Sequence, residues 1–169
     1  MTSPMYTNSV PVFKQLLTAL KTILATTSAQ VTAKSMSADA FLQARLFPDM
    51  FPLVKQVQIA CDFARGISAR LAGVEVPVHE GSEASFADLD ALLTTTLTFL
   101  DGLDAAKFEG SEGKEIVLRP GTPKERKLGG QAYLSTYGLP QFFFHVTTAY
   151  AILRHNGVAI GKKDYMGAY

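Results

Sequence analysis

Apolar residues return at three- and four-residue steps in four separate stretches of this chain, a rhythm that confines the fold more than any other feature. Over residues 11–28, Val12, Phe13, Leu16, Leu17, Leu20, Ile23 and Leu24 make one stripe, with Lys14 and Lys21 opposite and Pro11 suited to a first helical turn. Residues 52–71 repeat the pattern with Leu53, Val57, Ala60, Cys61, Ala64, Ile67, Ser68 and Leu71, set against Lys55, Gln58, Asp62 and Arg65. Gly73 then offers a natural stop, since it takes positive φ at no steric cost. The third stretch opens at Ser85, where Ser85-Phe86-Ala87-Asp88 reads as a capping-box variant, and continues through Leu89, Leu92, Leu93, Leu97, Leu100 and Leu103. Its run of threonines lowers helix propensity, so packing must carry it. The fourth starts at Pro140 and passes through Phe142, Phe143, Val146, Ala149, Tyr150, Ile152 and Leu153 to Asn156-Gly157. A shorter helical piece is expected after Ser37, stopped by Pro48.

Between the third and fourth stretches the pattern changes. Glu115-Ile116-Val117-Leu118-Arg119 reads as a strand, Pro120-Gly121-Thr122-Pro123 as a turn, and residues 125–128 as a return strand. Gly129, Gly130 and Gly138 mark a loop carrying Tyr133 and Tyr137. The expectation is an all-α bundle of four helices with a small β-hairpin between helices three and four, as one domain over residues 1–169. Hydrophobic residues at 47% supply a real core and rule out disorder. Sixteen Lys+Arg against fifteen Asp+Glu leave a charge of +1, which advertises neither nucleic acid nor an anionic membrane. No stretch is long and apolar enough to span a bilayer, residues 1–8 carry no Lys or Arg, and the single cysteine, Cys61, excludes an internal disulfide. A cytoplasmic protein is expected.

Residue chemistry alone does not name a reaction. The three histidines, His79, His145 and His155, match in number a catalytic zinc or nickel site. His145 and His155, however, stand ten residues apart, about 15 Å along one helix. His145 reads best as a hydrogen-bonded histidine at the edge of the core, His155 as a cation complementing a helix C-terminus, and His79 as a loop residue. His79-Glu80-Gly81-Ser82-Glu83 lacks the second histidine of a zincin helix, and residues 157–163 have the wrong spacing for a phosphate loop. Cys61 lies on the apolar stripe without a neighbouring histidine, so it reads as packing. Asp62 and Arg65, three apart, read as a solvated pair unless Asp62 turns toward a pocket. Three consecutive phenylalanines, Phe142, Phe143 and Phe144, cannot all face one core, which suggests a subunit interface and a pocket rim, with Phe47 and Phe51 at the start of helix two.

Phe51-Pro52-Leu53, Ala60-Cys61-Asp62-Phe63-Ala64, Ala69-Arg70-Leu71-Ala72-Gly73, Gly161-Lys162-Lys163-Asp164-Tyr165 and above all the segment Leu139-Pro140-Gln141-Phe142-Phe143-Phe144-His145-Val146 with its continuation to Val158 resemble the DUF1993 family of bacterial proteins. That family resembles in turn the DinB/YfiT-like superfamily of four-helix bundles. Many superfamily members carry a three-histidine metal site, with one histidine near helix two and an H-x-x-x-H pair on helix four. Some are metal-dependent thiol transferases or hydrolases. Laid on this chain, the pair falls on Ala149 and Leu153, and helix two has no histidine. The resemblance therefore implies the bundle and a pocket between helices two and four without the metal, with His145, Tyr150 and Asp62 as ligand-binding candidates. It leaves open whether the protein is an enzyme. A metal-dependent transferase using His145, His79 or His155, and a purely structural or interaction bundle, are the alternatives; a homodimer, no cofactor and an unidentified small-molecule ligand are the expectations.

Overall fold

The computed structural model describes residues 3–169. A short helix α1 (Pro4–Thr7) precedes the long α2 (Val10–Ala33), the short α3 (Ala38–Leu42), α4 (Leu53–Ala72) and α5 (Phe86–Asp101). An antiparallel hairpin, β1 (Glu115–Leu118) and β2 (Arg126–Gly129), pairs Ile116 with Leu128. A continuous helical run follows: α6 (Gly130–Ala132), a π-wound turn over Tyr133–Gly138, and α7 (Leu139–His155). The short α8 (Lys162–Met166) ends the chain's regular structure.

Helix ends follow the expected chemistry. Ser85 Oγ accepts the Asp88 N–H at 3.1 Å, and Asp88 returns the favour one residue earlier than a standard box, accepting from Ala84 N–H at 3.0 Å. Gly73 closes α4 at φ 68°, in the left-handed region, with its N–H on the Arg70 carbonyl. Ser37 caps α3 by accepting from Ala40 N–H, but α3 ends at Leu42, well before Pro48. Three of the four threonines of α5 return their hydroxyls to carbonyls four residues back, Thr94 to Asp90, Thr95 to Ala91 and Thr98 to Thr94, while the buried Thr96 hydroxyl is left without such a bond.

The four long helices close a ring of contacts, α2 with α5, α5 with α4, α4 with α7 and α7 with α2, around Phe13, Leu17, Leu20, Val57, Ile67, Leu93 and Phe142. All eight residues of the apolar stripe read on α4 are buried. The opposite face departs from the sequence expectation: Gln58 and Arg65 are buried, because the segment leading into α5 covers them. The final helix also departs from it. Helix begins at Gly130, ten residues before Pro140, and the supposed loop glycines lie within or just before it. They serve close packing instead. A Cβ on Gly138 would sit 2.7 Å from Ile67 Cδ1 of α4, and one on Gly130 would land on the Ser111 carbonyl oxygen. The chain after α7 is also fixed: Val158 and Ile160 are buried, and α8 docks on α2 through Gln15 Nε2 donating to the Met166 carbonyl at 2.8 Å.

Candidate ligand-binding site

α4 is the spine of the site. Along its outer face Asp62, Gly66 and Arg70 follow one another a turn apart, with Phe63 beside Asp62 and one turn before Gly66. The π-wound turn brings Tyr133 and Tyr137 against them, and β1 and the hairpin tip add Leu118 and Arg119. Together they enclose a cleft of about 200 Å³. It opens into a wider hollow of about 520 Å³ that shares Leu118, Arg119 and Tyr137 and adds Lys124, Glu125, Arg126 and Gln141.

Aromatic rings line the cleft in a continuous ladder. Tyr133 stacks on Tyr137 with centroids 5.8 Å apart, Tyr137 meets Phe63 edge-on at 5.9 Å, and Phe63 stacks on His145 at 5.8 Å. At one end, the half-buried Arg70 is pinned: Nη1 donates to the Gly66 carbonyl at 3.0 Å and to Tyr133 Oη at 3.3 Å. The missing side chain at Gly66 makes this possible, since a Cβ there would stand 2.6 Å from Nη1. Burial pushes the Tyr133 phenol above its usual pKa, and the Arg70 charge opposes that only in part, so the phenol stays neutral and serves as hydrogen-bond partner.

The three candidates read from the sequence do not converge. Asp62 lies in the cleft, half exposed, with its carboxylate on Arg65 Nη2 at 2.6 Å and His79 Nδ1 at 3.3 Å. His145 sits one ring behind the cleft wall, only 7% exposed. Its Nδ1 is 2.7 Å from Gln56 Oε1, while Gln56 Nε2 donates to the Phe51 carbonyl at 3.0 Å. That second bond fixes the amide orientation, so Nδ1 carries the proton and Nε2 the lone pair. Burial lowers the pKa of this imidazole, which keeps it neutral. Tyr150 lies about 140° round α7 from His145 and packs edge-on against Tyr165 of α8, at 5.8 Å.

Sequence reasoning missed Arg70, Arg119 and the role of Gly66. One signal was present: Tyr133 and Tyr137 are four residues apart, the spacing of a helical stack, but the surrounding glycines masked the helix. It also missed a clamp at the other edge of Asp62. His79 Nε2 lies 2.7 Å from Glu83 Oε1, and Gln58 Nε2 donates to Glu83 Oε2 at 2.7 Å, tying the segment before α5 down onto α4. Burial pushes the Glu83 carboxyl up, but the hydrogen bonds from His79 and Gln58 outweigh it and hold the pKa below the usual range. Cys61 is fully buried, and burial pushes its thiol up to about 12, so it is no nucleophile.

The residues present do not fit the three-histidine metal site of the superfamily. Ala149 and Leu153, where the paired histidines would stand, are fully enclosed by the apolar core. His79 has both ring nitrogens on carboxylates, His145 has one on an amide, and among the described residues no three His, Cys, Asp or Glu side chains are placed so that they could hold a metal ion together.

A family model described as a domain of unknown function, DUF1993, matches residues 5–166. The chain belongs to the DUF1993 family. Among solved structures it is similar to a DinB family member protein from Shewanella denitrificans, with 38% identity, a TM-score of 0.91, and coverage of 97% of this chain and 92% of that one. No functionally curated protein matches it. The DinB-like bundle with its small hairpin is thus shown for this DUF1993 protein by both sequence and fold. Among the described residues no helix is long and apolar enough to cross a membrane.

Proposed function

We propose that this DUF1993 protein binds a small organic molecule, without a metal, in the cleft between α4 and the final helical run, and that it works as a cytoplasmic homodimer. The observation that carries the reading is Arg70, a guanidinium fixed at the end of a ring-lined cleft by a glycine carbonyl and a buried phenol. A pre-positioned cation beside stacked ring faces is the combination by which small-molecule sites gain orientation and affinity together. A wider groove of about 780 Å³ between α2 and α5 lacks that combination, being walled mainly by Ala25, Ser28, Ala29, Thr32 and Ala33. The lining of the cleft suits binding, and among the described residues there it pairs no nucleophile with a base.

A thermal-shift screen of thiols and central metabolites on chelator-treated protein tests this. A ligand at a hundred times its Kd stabilises by about 2.7 kcal/mol, enough to raise Tm by roughly 5–10 °C. Gly66→Ala should abolish the shift by displacing Arg70 while leaving Tm of the free protein within a few degrees, since Ala favours a helix interior. A screen without hits, or hits that need added zinc or nickel, would refute the reading.

A further inference from the structure

Charge on the cleft is not balanced as it is over the whole chain. Arg70 and Arg119 face the inner cleft, and Arg119, Lys124 and Arg126 face the outer hollow. None of these four forms an ion pair among the described residues; the cations that do are Lys14, Lys21, Arg65, Lys127 and His79. The two carboxylates nearby are already engaged. Asp62 is held by Arg65 and His79, and Glu125 Oε2 accepts the Gly121 N–H at 2.8 Å. Three cations, Arg119, Lys124 and Arg126, therefore line the outer hollow against the single carboxylate of Glu125, and Arg70 stands behind them in the inner cleft, in a protein whose net charge is only +1.

Arg119 carries a second signature. Its φ of 50° places a long, β-substituted residue in the left-handed region where glycine or asparagine would sit without strain. It occupies the mouth, lining both the inner cleft and the outer hollow. That conformation opens the hairpin turn, with the Arg119 carbonyl accepting the Thr122 N–H at 3.3 Å and the Thr122 hydroxyl at 2.9 Å, and it fixes the backbone from which the arginine side chain leaves. The inner cleft supplies the other half of the recognition: with Phe63, Leu118 and Tyr137 as its apolar wall, the whole cleft holds about 200 Å³, too small for a drug-sized molecule and suited to a ring or short chain.

Resting on the binding site argued above, we propose that its ligand is an organic anion. A planar or short apolar body seats on Phe63, Leu118 and Tyr137, and a carboxylate or phosphate group meets Arg119 at the mouth, with Lys124 and Arg126 in the outer field. The guanidinium binds such a group through paired N–H donors, a geometry that lysine alone cannot reproduce.

Titration calorimetry on the full chain with phenylacetate, phenyl phosphate, benzyl alcohol and inorganic phosphate reads each part of the claim. At least one aryl anion should bind, and the tighter of the two identifies carboxylate or phosphate as the group recognised. Benzyl alcohol and inorganic phosphate should each bind about tenfold weaker or worse, the first lacking the charge and the second lacking the body. Arg119→Gly removes the guanidinium and relieves the positive φ, so it should weaken the aryl anion about tenfold while Tm stays level or rises. Raising salt from about 50 to 300 mM should weaken wild-type binding more than that of the variant, which keeps Lys124 and Arg126 but loses the direct contact. Equal affinity for benzyl alcohol, equal affinity for inorganic phosphate, or an unchanged Arg119→Gly protein would overturn the proposal. So would the absence of binding by either aryl anion. In each of those cases a neutral metabolite found in the thermal-shift screen leaves the cleft as a binding site and removes only its anion preference; an empty screen removes both.

Discussion

At the scale of single residues, two buried polar contacts set measurable properties. The Gln56 amide dictates the tautomer of His145, because its own N–H is committed to the Phe51 carbonyl. Long-range proton–nitrogen spectra near pH 7.5 should show a protonated Nδ1 and a bare Nε2; the reverse tautomer would contradict the network. The folded-state pKa of His145 lies below its ordinary 6.5, so the unfolded chain binds the proton more readily. Its contribution to stability is complete above about pH 6.5 and is lost as pH falls toward the depressed value. Urea midpoints of wild type should therefore drop relative to His145→Gln as pH falls below about 6.5. Glu83 follows the same sign in a lower window: its stabilisation is present above about 4.5 and lost as pH falls through its lowered folded value. Glu83→Gln should flatten that acid limb, and an unaltered limb would show that the clamp contributes nothing. Residue identity told part of this in advance. His145 reads from sequence as a hydrogen-bonded histidine at the core edge, and so it lies. Arg65 was misplaced on a solvated face because helical periodicity sees only its own helix, not the segment before α5 that covers it.

At the scale of elements, sequence and structure agree wherever one segment's own chemistry decides the outcome. The stripes on α2, α4 and α5, the Ser85 cap, the Gly73 stop and the hairpin turn all depend on residues within a few positions of each other. They diverge where a long-range contact decides. Gly130 and Gly138 look like helix breakers, yet each is required because a neighbouring backbone or side chain approaches too closely for a Cβ. Gly138→Ala should cost about 1–3 kcal/mol by forcing Ile67 aside, and Gly130→Ala more, since a carbonyl cannot rotate out of the way as a side chain can. Chemical denaturation measures both. Equal, negligible losses would mean that the helical run does not pack on Ile67 of α4 and on the Ser111 carbonyl as described. The cleft is a product of the same divergence: the π-wound turn swings Tyr133 and Tyr137 onto α4, and no local pattern in residues 129–138 announces it.

At the scale of the whole molecule, one bundle carries two distinct surfaces. The first is the phenylalanine patch: Phe142 is buried against Phe13, but Phe144 is 54% exposed, Phe51 54% and Phe47 63%. Phe51 and Phe144 flank the Gln56–His145 contact, so they share a neighbourhood on the surface. Exposed aromatics gathered in this way are the material of a subunit interface. Light scattering at tens of micromolar should give twice the 18.3 kDa chain mass, and Phe144→Ser with Phe47→Ser should return the monomer with its helical signal intact. A monomeric wild type would refute the dimer.

The second surface is the cleft along α4, where the function is proposed to reside. Amide spectra of chelator-treated protein, titrated with the first hit of the metabolite screen, test it most directly. The account predicts saturable shifts centred on Gly66, Arg119 and Tyr137 with no metal added. Shifts confined to other parts of the bundle, or binding that appears only once zinc or nickel is supplied, would contradict it.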